Sequence, residues 1–333
     1  MTRRFFLENL GCAKNQVDAE IMIAALQRAG WEQTAEPDGA DTILVNTCGF
    51  IQSAKEESIN VSLEYLNALP DSRVIMTGCL SERYPRELLE EIPELAGVFG
   101  NRAPARIADF LEQLEAGGDR VMVPSGGLES YDRTHLLSFP GSAFVKVAEG
   151  CDNRCSFCAI PLIRGAMRSK PVADVVSEIA ALGERGIREI NLVAQDLASY
   201  GRDFTATGGG ADGTGPATEL LHRISDLDGE FWVRLLYVYP ERFPHSFFPI
   251  LRSDPRLLPY FDIPFQHAST QVLRRMGRPG SRERYLDLVR TIREELPDAV
   301  IRSTLLVGFF GETPEAFEEL LAFQEEAQLD WLG

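Results

Sequence analysis

The chain has 333 residues, 44% of them hydrophobic, enough to bury a large core and to form two domains. Its 33 basic and 50 acidic residues leave a net charge of −17, and such a surface repels polyphosphate and attracts basic partners. No run approaches the ~20 apolar residues that span a bilayer, and Glu8 and Asn9 break the first apolar run before a secretion signal could form. A cytoplasmic location without a membrane partner is therefore expected, and disulfides are a poor use for the six cysteines.

In chain order, the first hundred residues alternate strand-like and helical runs: FFLENL then DAEIMIAALQRAG, TILVNT then SAKEESINVSLEYLNAL, RVIMTG then SERYPRELLEEI. This βαβα pattern predicts a parallel sheet with helices on its faces. Cys12, Cys48 and Cys79 each follow a strand closely, in LGC, NTC and GC. The carboxyl ends of parallel strands form one ligand-binding edge, so the three thiols are expected to converge. One thiol at such a place reads as core packing; three at equivalent places favour a shared ligand. Asn9, Lys14, Asn15, Asn46 and Thr47 lie beside them, polar groups suited to a sulfide or an anion.

A first domain is thus expected over 1–125, with a Gly-, Ser- and Pro-rich linker over 126–140 and a second domain over 141–333. In the second, AFVKVAEG, EINLVAQD, FWVRLLYVYP, YFDIPFQ and VIRSTLLVGF read as strands. VADVVSEIAALGERG, ATELLHRISDL and SRERYLDLVRTIREEL read as helices between them. Repeated βα units predict an α/β barrel or partial barrel whose active face is the carboxyl end of its strands. Gln195, Tyr239, Gln266 and Arg302 fall on or at the ends of these strands. The glycine-rich stretch 203–216 lacks the Gly-Lys-Ser/Thr ending of a phosphate loop and reads as a surface insertion. The closing LDWLG reads as the opening of another strand, so a truncated chain is expected.

EGCDNRCSFCAIPLIRG, residues 149–165, follows the first strand of the second domain and holds Cys151, Cys155 and Cys158 in a C-x3-C-x2-C spacing. Zinc would want a fourth ligand in a closed tetrahedral site, and the four histidines, His135, His222, His245 and His267, are scattered. Iron–sulfur clusters take thiolates, and three of them leave one iron open for an exogenous ligand.

C-x3-C-x2-C with an aromatic before the last cysteine resembles the signature of radical S-adenosylmethionine enzymes. That resemblance implies that Cys151, Cys155 and Cys158 hold a 4Fe-4S cluster which splits S-adenosylmethionine to methionine and a 5′-deoxyadenosyl radical. The preceding domain, with one cysteine per βα unit, resembles the methylthiotransferases, and implies a second, auxiliary 4Fe-4S cluster on Cys12, Cys48 and Cys79. LGCAKNQVDAE, NTCGFIQSAKEESI, GCLSERY, DIPFQHAS and RMGRPG resemble the RimO branch, which modifies an aspartate of small-subunit ribosomal protein twelve. The MiaB branch, acting on tRNA adenosine, reads differently around the first two cysteines.

The implied fold is an amino-terminal methylthiotransferase domain followed by a radical SAM partial barrel, with the chain ending before a TRAM domain. Two departures from the family wording are Phe310 at the proline position of GFFGET, and Ala166 and Met167 in place of more polar residues. Implied partners are the ribosomal protein, an electron donor such as flavodoxin or ferredoxin, and a sulfur donor; a net charge of −17 disfavours tRNA. Gln195 and Arg302, from their strand-end positions, are the candidate contacts to S-adenosylmethionine. A non-catalytic iron–sulfur or zinc scaffold or redox sensor is the alternative of another class.

Overall fold

The computed structural model describes residues 3–126, 128, 131–204 and 215–333. It divides into two units, Met1–Ser138 with Ala159–Ala166, and Phe139–Cys158 with Met167–Gly333. Most of the glycine-rich stretch expected as a surface insertion, residues 205–214, lies outside the described residues.

The first unit is built on β1 (Arg4–Asn9), β2 (Glu32–Gln33), β3 (Thr42–Thr47), β4 (Arg73–Gly78), β5 (Gly97–Phe99) and β6 (Val121–Met122), in the order β2-β1-β3-β4-β5-β6. Every pair is parallel. The two-residue alternation of strand side chains is visible in β3, where Leu44 joins one core cluster while Ile43 and Val45 join the other. In β4, Ile75 goes with Leu44, and Val74 and Met76 go with Ile43 and Val45. The Leu44 face is covered by the helices Ala13–Arg28 and Ile107–Glu115 through Met22, Ile23, Leu26, Phe110 and Leu111. The opposite face is covered by Gln52–Ala68 and Pro85–Glu91, through Ile59, Leu66 and Leu88. A strand with helices on both sides is buried throughout, as β3 is, and its sequence is apolar on both faces for that reason.

The chain leaves β1 towards β2 on one side and returns to β3 on the other, which makes the carboxyl ends of β1 and β3 a topological switch point, the place where ligands bind in open parallel sheets. The helical run SERYPRELLEEI forms two helices, Cys79–Arg83 and Pro85–Glu91, parted at Tyr84. Proline disfavours helical backbone in the residue before it. Described residues of the 126–140 stretch up to Ser138 pack in this unit: Tyr131 and Leu137 lie on the Leu44-side core, and Arg133 pairs with the buried Glu20.

The second unit contains β7 (Ser142–Lys146), β10 (Glu189–Val193), β11 (Trp232–Leu235), β12 (Leu257–Asp262), β13 (Val300–Ser303) and β14 (Trp331–Leu332), together with a small antiparallel pair, β8 (Ala148–Glu149) and β9 (Arg168–Ser169). The six large-sheet strands follow one another in sequence order and all pair in parallel. This is the winding of a (β/α) barrel left open between β7 and β14. Helices Val172–Glu184, Pro216–Ser225, Arg282–Glu295 and Pro314–Ala327 occur in the crossovers. The runs expected as long strands are shorter, because the backbone turns just past the sheet: Tyr237 has φ 65 and Gln266 has φ 68. Positive φ in non-glycine residues is strained and concentrates at functional edges.

Gly78, at the end of β4, has φ 91 and ψ −152, a region open essentially to glycine. A Cβ there would sit 2.4 Å from Asn46 Oδ1 and 2.7 Å from the Thr47 carbonyl. Gly78→Ala is expected to destabilise the protein by about 2 kcal/mol or more, read from the midpoint of urea denaturation; an unchanged midpoint would contradict the packing described here.

Candidate functional site

In the first unit Cys12 precedes helix Ala13–Arg28, Cys48 follows β3, and Cys79 opens the helix after β4. Asn15 connects the first and third: its Oδ1 lies 3.2 Å from Cys79 Sγ and 3.8 Å from Cys12 Sγ, while its Nδ2 donates to the Thr47 carbonyl at 2.8 Å. Cys48 joins them through its neighbour, since a Cβ on Gly49 would fall 2.7 Å from the Cys79 carbonyl oxygen. Asn46, wholly buried, donates from Nδ2 to Asn9 Oδ1 and to the Asn15 carbonyl, both at 2.8 Å. Asn9, Asn15, Asn46 and Thr47 thus form the frame of the site.

Two contributors to this site carry no mark in the sequence. Asn101, past β5, is 2% exposed and donates from Nδ2 to Cys79 Sγ at 3.3 Å; its Oδ1 is buried without a hydrogen-bond partner in the protein. Arg164 belongs to the segment Ala159–Ala166 and is 1% exposed. Its Nη2 lies 3.4 Å from Cys79 Sγ, 2.8 Å from Asn15 Oδ1 and 2.9 Å from Asp18 Oδ2. The thiols differ accordingly. Desolvation pushes the buried Cys79 above the ordinary thiol range, against the pull of Arg164. For Cys12 desolvation acts the same way, but Lys14, Arg164 and the backbone N–H groups of Asn15 and Lys14 outweigh it and hold the thiol below that range.

In the second unit Cys151, Cys155 and Cys158 lie on the loop after β8. The RMGRPG stretch fixes that loop. Ser156 donates from N to the Met276 carbonyl and from Oγ to the Arg275 carbonyl, each at 2.9 Å. Gly277, at φ 74, approaches so closely that a Cβ would sit 2.8 Å from the Arg154 carbonyl oxygen. Arg278 is held by Glu241 through two bonds, Nε–Oε1 at 3.1 Å and Nη2–Oε2 at 2.9 Å, and Tyr285 donates to the same carboxylate at 2.6 Å. The Tyr239 ring has Arg242 4.6 Å and Arg278 4.5 Å from its centroid. Burial raises the Cys155 thiol, while Arg278 and a hydrogen bond from Tyr239 pull it down. Cys151 is pushed up to about 11, by burial first and by Asp196 and the two other thiols after it.

Beside Cys151 opens a cavity of about 340 Å³ lined also by Asn153, Asp196, Ser199 and Arg242, a volume suited to a small molecule. Asp196 organises it, accepting at Oδ2 from Asn153 Nδ2 at 3.1 Å, Ser199 Oγ at 2.7 Å and Arg242. Its Oδ1 is buried with no partner in the protein, and so are both Oε1 and Nε2 of the adjacent Gln195. Arg302 sits elsewhere, donating from Nη1 to both oxygens of Asp262 at 2.9 Å across the β12–β13 pair. Gln266 is fixed by its backbone, bonded to Thr304 and Leu306.

None of the six cysteines forms a disulfide. Among the described residues no three His, Cys, Asp or Glu side chains gather tightly enough to hold one metal ion. A single zinc with bonds of about 2.3 Å would require that, whereas an iron–sulfur cluster takes one thiolate at each of several irons. Two sets of three thiols with nearby N–H donors therefore fit such clusters by donor type. Among the described residues no helix is long and apolar enough to cross a membrane.

Residues 4–100 match the Uncharacterized protein family UPF0004, and residues 145–323 match the Radical SAM superfamily. The chain is 42% identical over 341 residues to the "Ribosomal protein uS12 methylthiotransferase RimO" of Treponema denticola, covering 97% of this chain and 73% of that protein. It is 45% identical over 337 residues to the protein of the same name from Desulforudis audaxviator, covering 99% and 73%. Among solved structures it is similar to the radical S-adenosylmethionine methyltransferase TsrM of Kitasatospora setae, with a TM-score of 0.69 and 18% identity over 100% of this chain and 72% of that one. The cobalamin-dependent S-adenosylmethionine radical enzyme OxsB gives a TM-score of 0.66 and 14% identity, over 97% and 52%. At these identities the likeness to the solved structures is one of fold.

The thiolate is the form that alkylates. In metal-free protein, Cys12 is therefore expected to react with iodoacetamide at a lower pH, and earlier at a given pH, than the buried Cys79. Peptide mapping by mass spectrometry measures the order; equal rates would contradict the electrostatic difference between the two thiols.

Proposed function

The chain belongs to the RimO family of ribosomal protein uS12 methylthiotransferases, within the radical SAM superfamily, and on that premise we propose that it attaches a methylthio group to the β-carbon of an aspartate in small-subunit ribosomal protein twelve. The observation that carries this reading is the occurrence of two sets of three cysteines without disulfides, one just past the ends of β1, β3 and β4 and one on the loop after β8. Cys151, Cys155 and Cys158 hold one 4Fe-4S cluster, and Cys12, Cys48 and Cys79 hold the other. When bound, the clusters and S-adenosylmethionine supply one-electron cleavage of a sulfonium and a sulfur for an unactivated carbon, chemistry that protein side chains alone do not perform.

The chain's own residues bind, orient and shield. RMGRPG fixes the Cys155 loop through Ser156 and Gly277, and Glu241 fixes the Arg278 guanidinium by a two-bond contact that resists rotation. Gln195 contacts S-adenosylmethionine: both polar atoms of its amide are buried without a partner in the protein, an arrangement that costs about 1–3 kcal/mol unless a ligand satisfies it. Arg302, paired with Asp262, is the second contact on the ground of its strand-end position alone. The reductant is a small electron carrier of the flavodoxin or ferredoxin class, and a separate donor renews the sulfur. With −17 on the chain, a basic ribosomal protein is drawn to it in the cytoplasm and tRNA repelled.

Anaerobic reconstitution is expected to load roughly eight irons, four per cluster. Cys151→Ala/Cys155→Ala/Cys158→Ala should lose about half the iron and all cleavage of S-adenosylmethionine. Cys12→Ala/Cys48→Ala/Cys79→Ala should still cleave it yet place no methylthio group on the ribosomal protein, as weighed by mass spectrometry. A methylthiolated tRNA adenosine beside an unmodified ribosomal protein would replace this reading by the tRNA one.

Replacing the unpaired amide of Gln195 by a side chain of similar shape separates two effects. Gln195→Leu is expected to raise the stability of the ligand-free protein by about 1 kcal/mol while weakening S-adenosylmethionine binding about tenfold, 1.4 kcal/mol. Melting curves and equilibrium dialysis give the two signs; unchanged dialysis would remove Gln195 from the binding site.

A further inference from the structure

Arg164 is a buried cation delivered to the amino-terminal unit by Ala159–Ala166, although it follows Cys158 by only a few residues in the sequence. A guanidinium carries five donor hydrogens and no acceptor, and burying one costs several kcal/mol unless a partner offsets it. Asp18, 2% exposed, is that partner at 2.9 Å. Neutralising Arg164 needs nothing more. The same Nη2, however, has three neighbours: Asp18 Oδ2, Asn15 Oδ1 at 2.8 Å and Cys79 Sγ at 3.4 Å. Its two hydrogens are divided among three acceptors, one of them a thiol sulfur that already receives Asn101 Nδ2 at 3.3 Å. Asn15, which meets both Cys79 and Cys12, is held by Arg164 at one end and by the Thr47 carbonyl at the other.

We infer that Arg164 is a positioning residue of the amino-terminal cysteine site, donating to the Cys79 sulfur and raising the potential at which a cluster held there accepts an electron. The inference rests on the reading of Cys12, Cys48 and Cys79 as cluster ligands. Reduction adds one negative charge to the cluster, supplied by an external reductant, with no bond made or broken at Arg164. A donor hydrogen and a positive charge beside a ligand sulfur favour the reduced form, since net charge and hydrogen bonds to the sulfurs set these potentials. Residues outside the ligand set orient and tune a metal centre in this way.

The test uses the Cys151→Ala/Cys155→Ala/Cys158→Ala protein, reconstituted anaerobically, so that one cluster is observed, with dithionite titration followed by electron paramagnetic resonance. Arg164→Met alone would remove the cation beside the buried Asp18 carboxylate, so it is paired with Asp18→Asn. This double change, which leaves the local formal charge balanced, is expected to shift the one-electron equilibrium at least tenfold towards the oxidised form, about 59 mV. Arg164→Lys, keeping charge but losing the planar donor fork, should fall between it and the parent. An unshifted potential in the Asp18→Asn/Arg164→Met protein would overturn the inference. If that protein holds no cluster, Arg164→Lys decides: a potential below the parent's supports the inference, whereas a parental potential, or cluster loss with circular dichroism unchanged, overturns it. A parent without iron would instead overturn the ligand assignment itself.

Discussion

Parallel pairing forces the chain to cross back over the sheet before each new strand begins, so every strand ends at the same edge and every loop leaving that edge starts from an equivalent place. The amino-terminal cysteine set depends on this constraint. Cys12, Cys48 and Cys79 are far apart in sequence, yet each stands just past the end of β1, β3 or β4, and β1, β3 and β4 are consecutive neighbours in the sheet. An antiparallel arrangement of the same strands would send alternate loops to opposite edges and separate the thiols. In the second unit the same rule places the 150–158 loop, the Gln195–Asp196 pair after β10 and the Tyr237–Tyr239 turn after β11 at one edge.

Around both edges the structure buries ion pairs: Arg164 with Asp18, Arg278 with Glu241, and Lys146 with Glu149. Such pairs contribute little net stability, because desolvation offsets much of the attraction, while loss of one partner leaves a buried charge and is severe. Their effect here is geometric. The two bonds from Nε and Nη2 of Arg278 to Glu241 restrict rotation of the guanidinium, which lies 4.5 Å from the Tyr239 ring centroid. Tyr239 in turn reaches Cys155.

Much of this was legible in the sequence. TILVNT and RVIMTG coincide with β3 and β4 residue for residue, because fully buried parallel strands are short, apolar and β-branched. Cys12, Cys48 and Cys79 were legible because each follows a strand end, and Cys151, Cys155 and Cys158 because of their C-x3-C-x2-C spacing. Motif wording also has a physical basis visible only in the fold: His267, in DIPFQHAS, accepts from the Ser269 N–H at Nδ1, so its Nε2 carries the proton that faces Glu312 of GFFGET at 3.3 Å. Three features were not legible. The strand after FWVRL stops early because Tyr237 takes a positive φ that no local pattern announces. Asp196 and Arg242 organise a cavity, but lie 46 residues apart and belong to no spacing motif. Arg164 reads as one more residue of the cysteine loop, and its neighbours Asn15 and Asp18 stand 149 and 146 residues earlier.

The membership of Ala159–Ala166 in the first unit bears on how the protein is made. The chain passes from one unit to the other three times, so neither unit corresponds to an uninterrupted length of the gene. During synthesis, domains generally complete themselves in order from the amino terminus, but here the first unit lacks the Arg164 contact to Asp18 until residue 164 has emerged. By then the opening strand and cysteine loop of the second unit have already been translated. The two units are therefore interleaved in time as well as in sequence, and a gene exchange that swapped one of them at a single junction would carry away the cation that neutralises the other.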